Sequence, residues 1–137
     1  MMRSESRKIL LPYSIVILLA YIAFSLPLPL LPEMFLDSDR GILSSTASLK
    51  VKTMLLGIVM ASFPLGQFFG SPLLGHLSDR YGRKRVIICS LFGTVIGYGI
   101  TALSVMHTSI MGMFFGLAVC GFFEGNVTIA QAVIADI

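Results

Sequence analysis

Four apolar runs, Ile9 to Leu31, Met54 to Leu74, Val86 to Met106 and Ile110 to about Ile134, constrain this chain more than any other feature. A helix rises about 1.5 Å per residue, so about 20 residues cross a hydrocarbon layer about 30 Å thick. Inside lipid every backbone amide must find its partner within the segment, and a run of this length satisfies that requirement only as a helix. The expected fold is therefore an all-α membrane protein with four transmembrane helices at about 9–31, 53–75, 86–106 and 110–135, forming a single partial domain over 1–137. Composition agrees: 55% of residues are hydrophobic and 12% charged. The mean hydropathy of +0.89 is more than a soluble domain of this size can expose without aggregating.

Several other classes are excluded on the same grounds. The net charge of +3 comes from short basic clusters beside apolar runs, not from one basic face, so the lipid bilayer and not nucleic acid is the expected acidic partner. Arg3, Arg7 and Lys8 resemble the start of a signal peptide, but Ile9 to Leu31 is longer than the ~7–15 residues of a signal core, and no A-x-A site follows. It reads as a retained helix. Cys89 and Cys120 lie inside apolar runs, where buried thiols are expected in preference to a disulfide or metal site. His76 and His107 fall at membrane edges, where interfacial placement explains them. No nucleophile with its base, phosphate loop or metal-ligand spacing is present, so neither an enzyme, a metal nor a cofactor is expected.

The connections set the topology. Pro32 to Thr53 is long and polar, with Ser44, Ser45 and Thr46 offering N-caps for an early start of the second helix. Gly75 to Arg85 reads as a short basic loop, and His107-Thr108-Ser109 is short enough to force an antiparallel hairpin. Arg3, Arg7, Lys8, Arg80, Arg83, Lys84 and Arg85 fall on one side, against Arg40, Lys50 and Lys52 on the other. The richer side is expected to be cytoplasmic, placing both chain ends inside, in a cell inner (plasma) membrane. Pro27, Pro29 and Pro32 should bend or unwind the outer end of the first helix. Paired glycines at 66/70, 93/97, 112/116 and 121/125 recur one turn apart, which suits tight packing inside a bundle or a dimer seam.

The run Gly75-His76-Leu77-Ser78-Asp79-Arg80-Tyr81-Gly82-Arg83-Lys84-Arg85 holds more than positive-inside anchoring explains. Gly75 permits close helix contact, Gly82 permits a tight turn with positive φ, and Asp79 is a carboxylate able to cap a helix or accept an arginine. This run resembles the G-x-L-[SA]-D-R-x-G-R-[KR] signature of major facilitator superfamily transporters at every defined position, between the second and third helices where that family carries it. Pro29-Leu30-Leu31-Pro32 is similar to the P-x-x-P of the drug:proton antiporter branch, and Gly125-Asn126 through Ile134-Ala135-Asp136 resembles the end of that branch's fourth helix.

The resemblance implies four helices from the N-terminal half of a major facilitator fold. It also implies a conformational latch of Gly75, Leu77, Asp79, Arg80, Gly82, Arg83, Lys84 and Asp136, with Asp79, Arg83 and Asp136 as a charge relay. A solvated helix-end carboxylate is the other reading of Asp136. The chain stops at Ile137, where the resemblance implies a further loop and helix. An N-terminal part of a longer transporter is expected, whose missing C-terminal helices would be its partners.

Glu124 is the acid within a span, roughly 4–5 Å from the centre of the fourth helix. An intramembrane acid is a functional-site hypothesis by default. Glu124, Thr128 and Gln131 are spaced i, i+4, i+7 and form one stripe on a continuous helix. Ser14, Tyr21 and Ser25 form another, and Gln67 with Ser71 a third. The expected substrate or proton path is Glu124, Thr128, Gln131, Tyr21, Ser25 and Gln67. Alternatively, Glu124 makes a helix-to-helix hydrogen bond. The chain departs from the proton-driven branch at Leu117, where an arginine is usual, and at Leu19-Ala20-Tyr21-Ile22, where an acid often stands. The expected function is efflux of drug-like or small organic solutes. The alternatives are a small four-helix membrane protein that oligomerises and a non-transporting remnant.

Overall fold

The computed structural model describes residues 2–37, 42–43 and 47–135, and every regular element among them is a helix. In chain order these are α1 (Met2–Ser25), α2 (Pro27–Leu36), α3 (Leu49–Tyr81), α4 (Arg83–Met106), α5 (Ile110–Phe123) and α6 (Asn126–Ala135). They make four spans long and apolar enough to cross a membrane: Leu10–Leu36, Leu49–Tyr81, Arg83–Met106 and Ile110–Ala132. The four apolar runs thus each become one span, and the first and last spans are each built from two helices.

The proline cluster acts differently from the expected unwinding. The chain is interrupted at Leu26 and then stays helical through Leu36, so the first span ends five residues beyond Leu31. Pro27 and Pro29 occupy the first turn of α2, where backbone N–H groups have no intrahelical partner, so their missing donors cost little. Pro32 is carried inside the helix. The prolines therefore restart a helix instead of ending one.

A second difference lies in α3, which runs from Leu49 to Tyr81 and not from 53 to 75. At 33 residues it is about 50 Å long, well beyond a hydrocarbon layer of about 30 Å, so both ends project past the apolar core. The expected loop over 75–85 is thus mostly helix. Its one non-helical residue is Gly82, at φ +93° and ψ 134°, which closes α3 through its N–H to the Ser78 carbonyl and accepts from Val86 N–H at the start of α4. An L-residue rarely adopts that backbone geometry. Ser48 occupies the N-cap position of α3 in extended geometry, while Ser44, Ser45 and Thr46 lie outside the described residues.

The expected hairpin between the third and fourth spans is present. Ser109 caps α5 by accepting from Gly112 N–H, and its own N–H bonds the Ser104 carbonyl. Thr108 takes φ +51° in this turn, a left-handed geometry unfavourable for a β-branched side chain.

Packing centres on α5, which lies between α3 and α4, while α1 docks mainly on α6. The glycine pairs account for the closeness. A methyl group at Gly66 would collide with the Ala118 carbonyl, one at Gly70 with the Phe122 carbonyl, and one at Gly121 with the Phe63 carbonyl, so α3 and α5 meet backbone to backbone. Gly97 and Gly116 do the same for α4 and α5, against Cys120 and Thr101. All four pairs therefore have partners inside this chain. Gly75, expected at a close contact, has open space where its β-carbon would be.

Two apolar clusters flank the middle of the bundle. One joins Leu31, Phe35, Leu56, Val59, Phe63, Met113, Leu117 and Cys120. The other joins Leu74, Val86, Ile87, Ile129 and Ala130, with Tyr13, Val16 and Ile17 of α1 laid over them. Three buried hydroxyls are satisfied within their own helices: Ser62, Ser90 and Thr101 donate to the carbonyls of Val59, Ile87 and Gly97.

Candidate functional site

The second break, at Glu124 and Gly125, creates the site. Glu124 N–H still bonds the Cys120 carbonyl and ends α5, and the Glu124 carbonyl then accepts from Val127 N–H in a tighter turn that opens α6. Gly125 is seated on α3, where a β-carbon would lie 2.9 Å from Ser71 Cα. Phe122 and Phe123 precede the break, Phe123 lying over Gly93 of α4. Glycine at the break lets the span stay close to α3 there.

The Glu124 side chain is buried within the bundle, where it is 4% exposed. It faces a cavity of about 240 Å³ whose wall also includes Ala20, Tyr21 and Phe24 of α1, Phe63 and Gln67 of α3, and Val127 of α6. Neither carboxyl oxygen of Glu124 has a hydrogen-bond partner among the described residues. A buried carboxyl group left unpartnered costs of order 1–3 kcal/mol or more, so this is a position where the fold forgoes stability.

A second cavity, of about 210 Å³, adjoins the first through Phe24, Phe63 and Gln67, which line both. Its other walls are Pro27, Leu28 and Leu31 of α2, Met60 and Pro64 of α3, Tyr98 of α4 and Leu117 of α5. The Tyr98 hydroxyl is also buried without a hydrogen-bond partner among the described residues. Phe24 and Phe63 pack ring on ring, centroids 4.9 Å apart and tilted by 43°, where the two spaces meet.

Of the six residues expected on a path, the structure brings together Glu124, Tyr21 and Gln67. Thr128 and Gln131 do not join them. Both are exposed, and Thr128 donates to the Gly125 carbonyl and faces a different groove. The expected stripe required one continuous helix, and the break at Glu124 and Gly125 removes that phase relation. Ser25 and Ser14 are exposed on α1 and line neither cavity, so the first-span stripe contributes Tyr21 alone. Ser71 meets Gly125 instead of the cavity. Sequence reasoning missed Tyr98, Phe24 and Phe63. Tyr98 carried a signal, since it follows Thr94 by four residues in a run otherwise built of glycine and aliphatic side chains. Asn126, 1% exposed and with Oδ1 unpartnered among the described residues, is a further buried polar group beside the break.

The described residues of the expected latch lie at the C-terminal end of α3 and the start of α4. Gly75, Ser78, Asp79 and Arg83 line a groove of about 190 Å³ against Thr128, Ile129 and Ala132 of α6. The helical extension of α3 and the turn at Gly82 bring Asp79 and Arg83, four residues apart, to the same groove. Leu77 packs on the lower apolar cluster, Arg80 lies over the Tyr81 ring at 5.7 Å, and Arg80 and Lys84 are exposed. Asp136 lies outside the described residues, just beyond α6.

Comparison with known proteins identifies the family. The family model described as Major Facilitator Superfamily matches residues 13–137. Among curated relatives, major facilitator superfamily domain-containing protein 10 of Mus musculus is 29% identical over 98% of this chain and 33% of its own length. The protein of the same name in Bos taurus is 31% identical over 88% of this chain and 30% of its own. Tetracycline resistance protein, class C, of Escherichia coli is 38% identical over 59% of this chain and 20% of its own. The chain thus spans a third or less of the length of these relatives. No solved structure matches. With four apolar helices, a buried acid at a broken fourth span and a family model covering nearly the whole sequence, the chain belongs to the Major Facilitator Superfamily.

Proposed function

We propose that the chain is part of a secondary transporter that moves drug-like or small organic solutes out of the cell, with the Glu124 cavity on the solute or proton path. One observation carries this reading: a carboxyl group buried in the middle of a span, with both oxygens unpartnered, facing a cavity between three of the four spans. A carboxyl kept for packing alone would be expected to find a donor, because satisfied polar groups are the rule inside proteins. Transport rather than enzymatic turnover follows from the family. Similarity to relatives named for tetracycline resistance supports the outward direction, since a transporter confers resistance most simply by removing the compound.

Transporters of this kind work by rocking of two helix bundles around a central site. In that scheme the remaining helices of the protein close the open side of the Glu124 cavity, where Tyr21 is 57% exposed. The groove holding Asp79 and Arg83, with Asp136, serves as the latch on the opposite face. The excess of Lys and Arg at the Gly82 end supports a cytoplasmic position for that face and for both ends of the chain, in a cell inner (plasma) membrane.

The test is export by the full-length protein carrying Glu124→Gln, which keeps side-chain size and removes the charge. Export into inverted vesicles should fall about tenfold or more, the loss of one charge-assisted contact, with unchanged protein level. Unimpaired export would leave Glu124 a helix-contact residue.

A further inference from the structure

We propose that Tyr98 is the positioning residue of Glu124, joined to it through one bound water that Gln67 also holds. The inference rests on the transport reading and deepens it, adding to the acid the groups that fix where its charge points.

The first observation is which side-chain donors near the acid are already engaged. On α4, Ser90, Thr94, Thr101 and Ser104 each donate to a carbonyl of their own helix, those of Ile87, Ser90, Gly97 and Ile100. On α5, the Cys120 thiol donates to the Thr94 carbonyl at 3.9 Å. Tyr98 is the exception among the hydroxyls of α4. Its ring holds the oxygen away from its own backbone, where it is buried with no partner among the described residues. Glu124 has the complementary lack, two buried carboxyl oxygens without a donor among the same residues.

The second is direction. α4 and α5 run antiparallel, with Gly97 against Cys120 and Gly116 against Thr101. This register sets Tyr98 level with Val119, and Glu124 lies five residues further on, about 7 Å along the axis at about 1.5 Å per residue. Side chains on a helix lean toward its N-terminus. In an antiparallel pair Tyr98 therefore leans toward the Arg83 end and Glu124 toward the Ile110 end, so the two converge. The charge of Glu124 accordingly acts on the Tyr98 hydroxyl across the helix boundary.

The third is room. Tyr98 lines one of the two adjoining cavities and Glu124 the other, while Gln67 lines both. The cavities measure about 210 and 240 Å³. A water takes about 30 Å³ and, when buried, needs about two to four polar partners. Here the water accepts from the Tyr98 O–H, donates to a Glu124 oxygen and takes its third bond from the Gln67 amide. The bridge holds the carboxyl group in one direction. A solute entering the Tyr98 cavity displaces the water and frees the carboxyl, which couples occupancy of one space to the state of the acid in the other.

The experiment uses the purified full-length protein in lipid nanodiscs, read by infrared difference spectra across a pH step that changes the protonation of Glu124, in ordinary and ¹⁸O-labelled water. The native protein should show a water O–H band that shifts with the isotope and is lost in Glu124→Gln. Tyr98→Phe keeps the ring, removes the hydroxyl and should abolish the band. Gln67→Leu should shift it, which gives a second reading should Tyr98→Phe fail to fold. A band absent from the native protein, surviving Tyr98→Phe or unmoved in Gln67→Leu would overturn the proposal. In inverted vesicles given the neutral dye Nile red, Tyr98→Phe should lower the maximal export rate about tenfold and leave KM nearly unchanged. The spectra need no transport, so the two readings fail separately. A band lost in Tyr98→Phe, with export unimpaired by Glu124→Gln, keeps the bridge and refutes the role of Glu124 in transport. Export lost in Glu124→Gln, with a band that survives Tyr98→Phe, keeps that role and refutes the bridge.

Discussion

Replacing Gly121 by alanine tests the packing on which the site depends. A β-carbon at Gly121 would lie 2.8 Å from the Phe63 carbonyl carbon and 3.1 Å from its Cα, against the 3.4 Å at which ordinary contact begins, and the carbonyl oxygen is nearer still. These are backbone atoms of α3, so no rotamer change relieves the clash. The helices must move apart along a seam that also includes Gly66 and Gly70. Overpacking of this sort costs about 1–3 kcal/mol, and separation would also forfeit dispersion contacts along the seam. Gly99→Ala is the matched control. Gly99 lies in α4 with nothing within 4 Å of the added carbon, so the same substitution there should be neutral or gain up to about 1 kcal/mol from helix propensity. Both variants are read by thermal unfolding of the detergent-solubilised full-length protein, where each kcal/mol moves the midpoint by a few degrees. Gly121→Ala should melt several degrees lower and Gly99→Ala no lower than the parent. Equal midpoints for the two would refute the claim that α3 and α5 meet at their backbones.

Three further outcomes follow. Gly82→Ala forces an L-residue into φ +93° and should destabilise by about 1–3 kcal/mol in the same melting assay, whereas a neutral result would mean that the α3–α4 turn has another accessible geometry. Thr108→Gly relieves the φ of +51° in the α4–α5 hairpin, so the midpoint should rise or hold, by up to about 1 kcal/mol, and a clear fall would assign the Thr108 side chain a supporting role. Ile42→Cys, in a background lacking Cys89 and Cys120, should react with an impermeant thiol reagent added to intact cells, and labelling only after lysis would reverse the orientation.

Span number, span order and the α4–α5 hairpin were legible because each rests on a large effect. Twenty apolar residues cannot be hidden from water in a chain this short, and a three-residue connection leaves no choice of direction. Gly82 was equally legible, because glycine before a basic turn has a backbone reason. Less legible was the length of α3. Polarity at Ser78, Asp79 and Arg80 reads as loop when the membrane is taken as the limit of the helix, yet helical hydrogen bonding continues into water with no added cost. Proline was misread for a related reason: at Pro27 and Pro29 the missing donors fall in the first turn of a new helix, where they have no partners to lose.

The site was half legible, and the division follows from one break. Periodicity places Glu124, Thr128 and Gln131 on one face only if hydrogen bonding runs unbroken through the fourth span. No proline marks the break, and Gly125 alone resembles the seven other glycines of the close-packed pairs. What distinguishes Gly125 is its tertiary neighbour: it rests on the Ser71 backbone, so α3 holds the chain where α5 gives way to α6. Beyond the break Ile129 and Ala130 of α6 pack with Tyr13, Val16 and Ile17 of α1, and at the break itself Glu124 is buried and faces the cavity. A substitution that loosened the contact of α1 with α6 would disturb that cavity too, because α1 supplies Ala20, Tyr21 and Phe24 to its wall. An acid that costs stability where it stands is thus held in place by the packing around it.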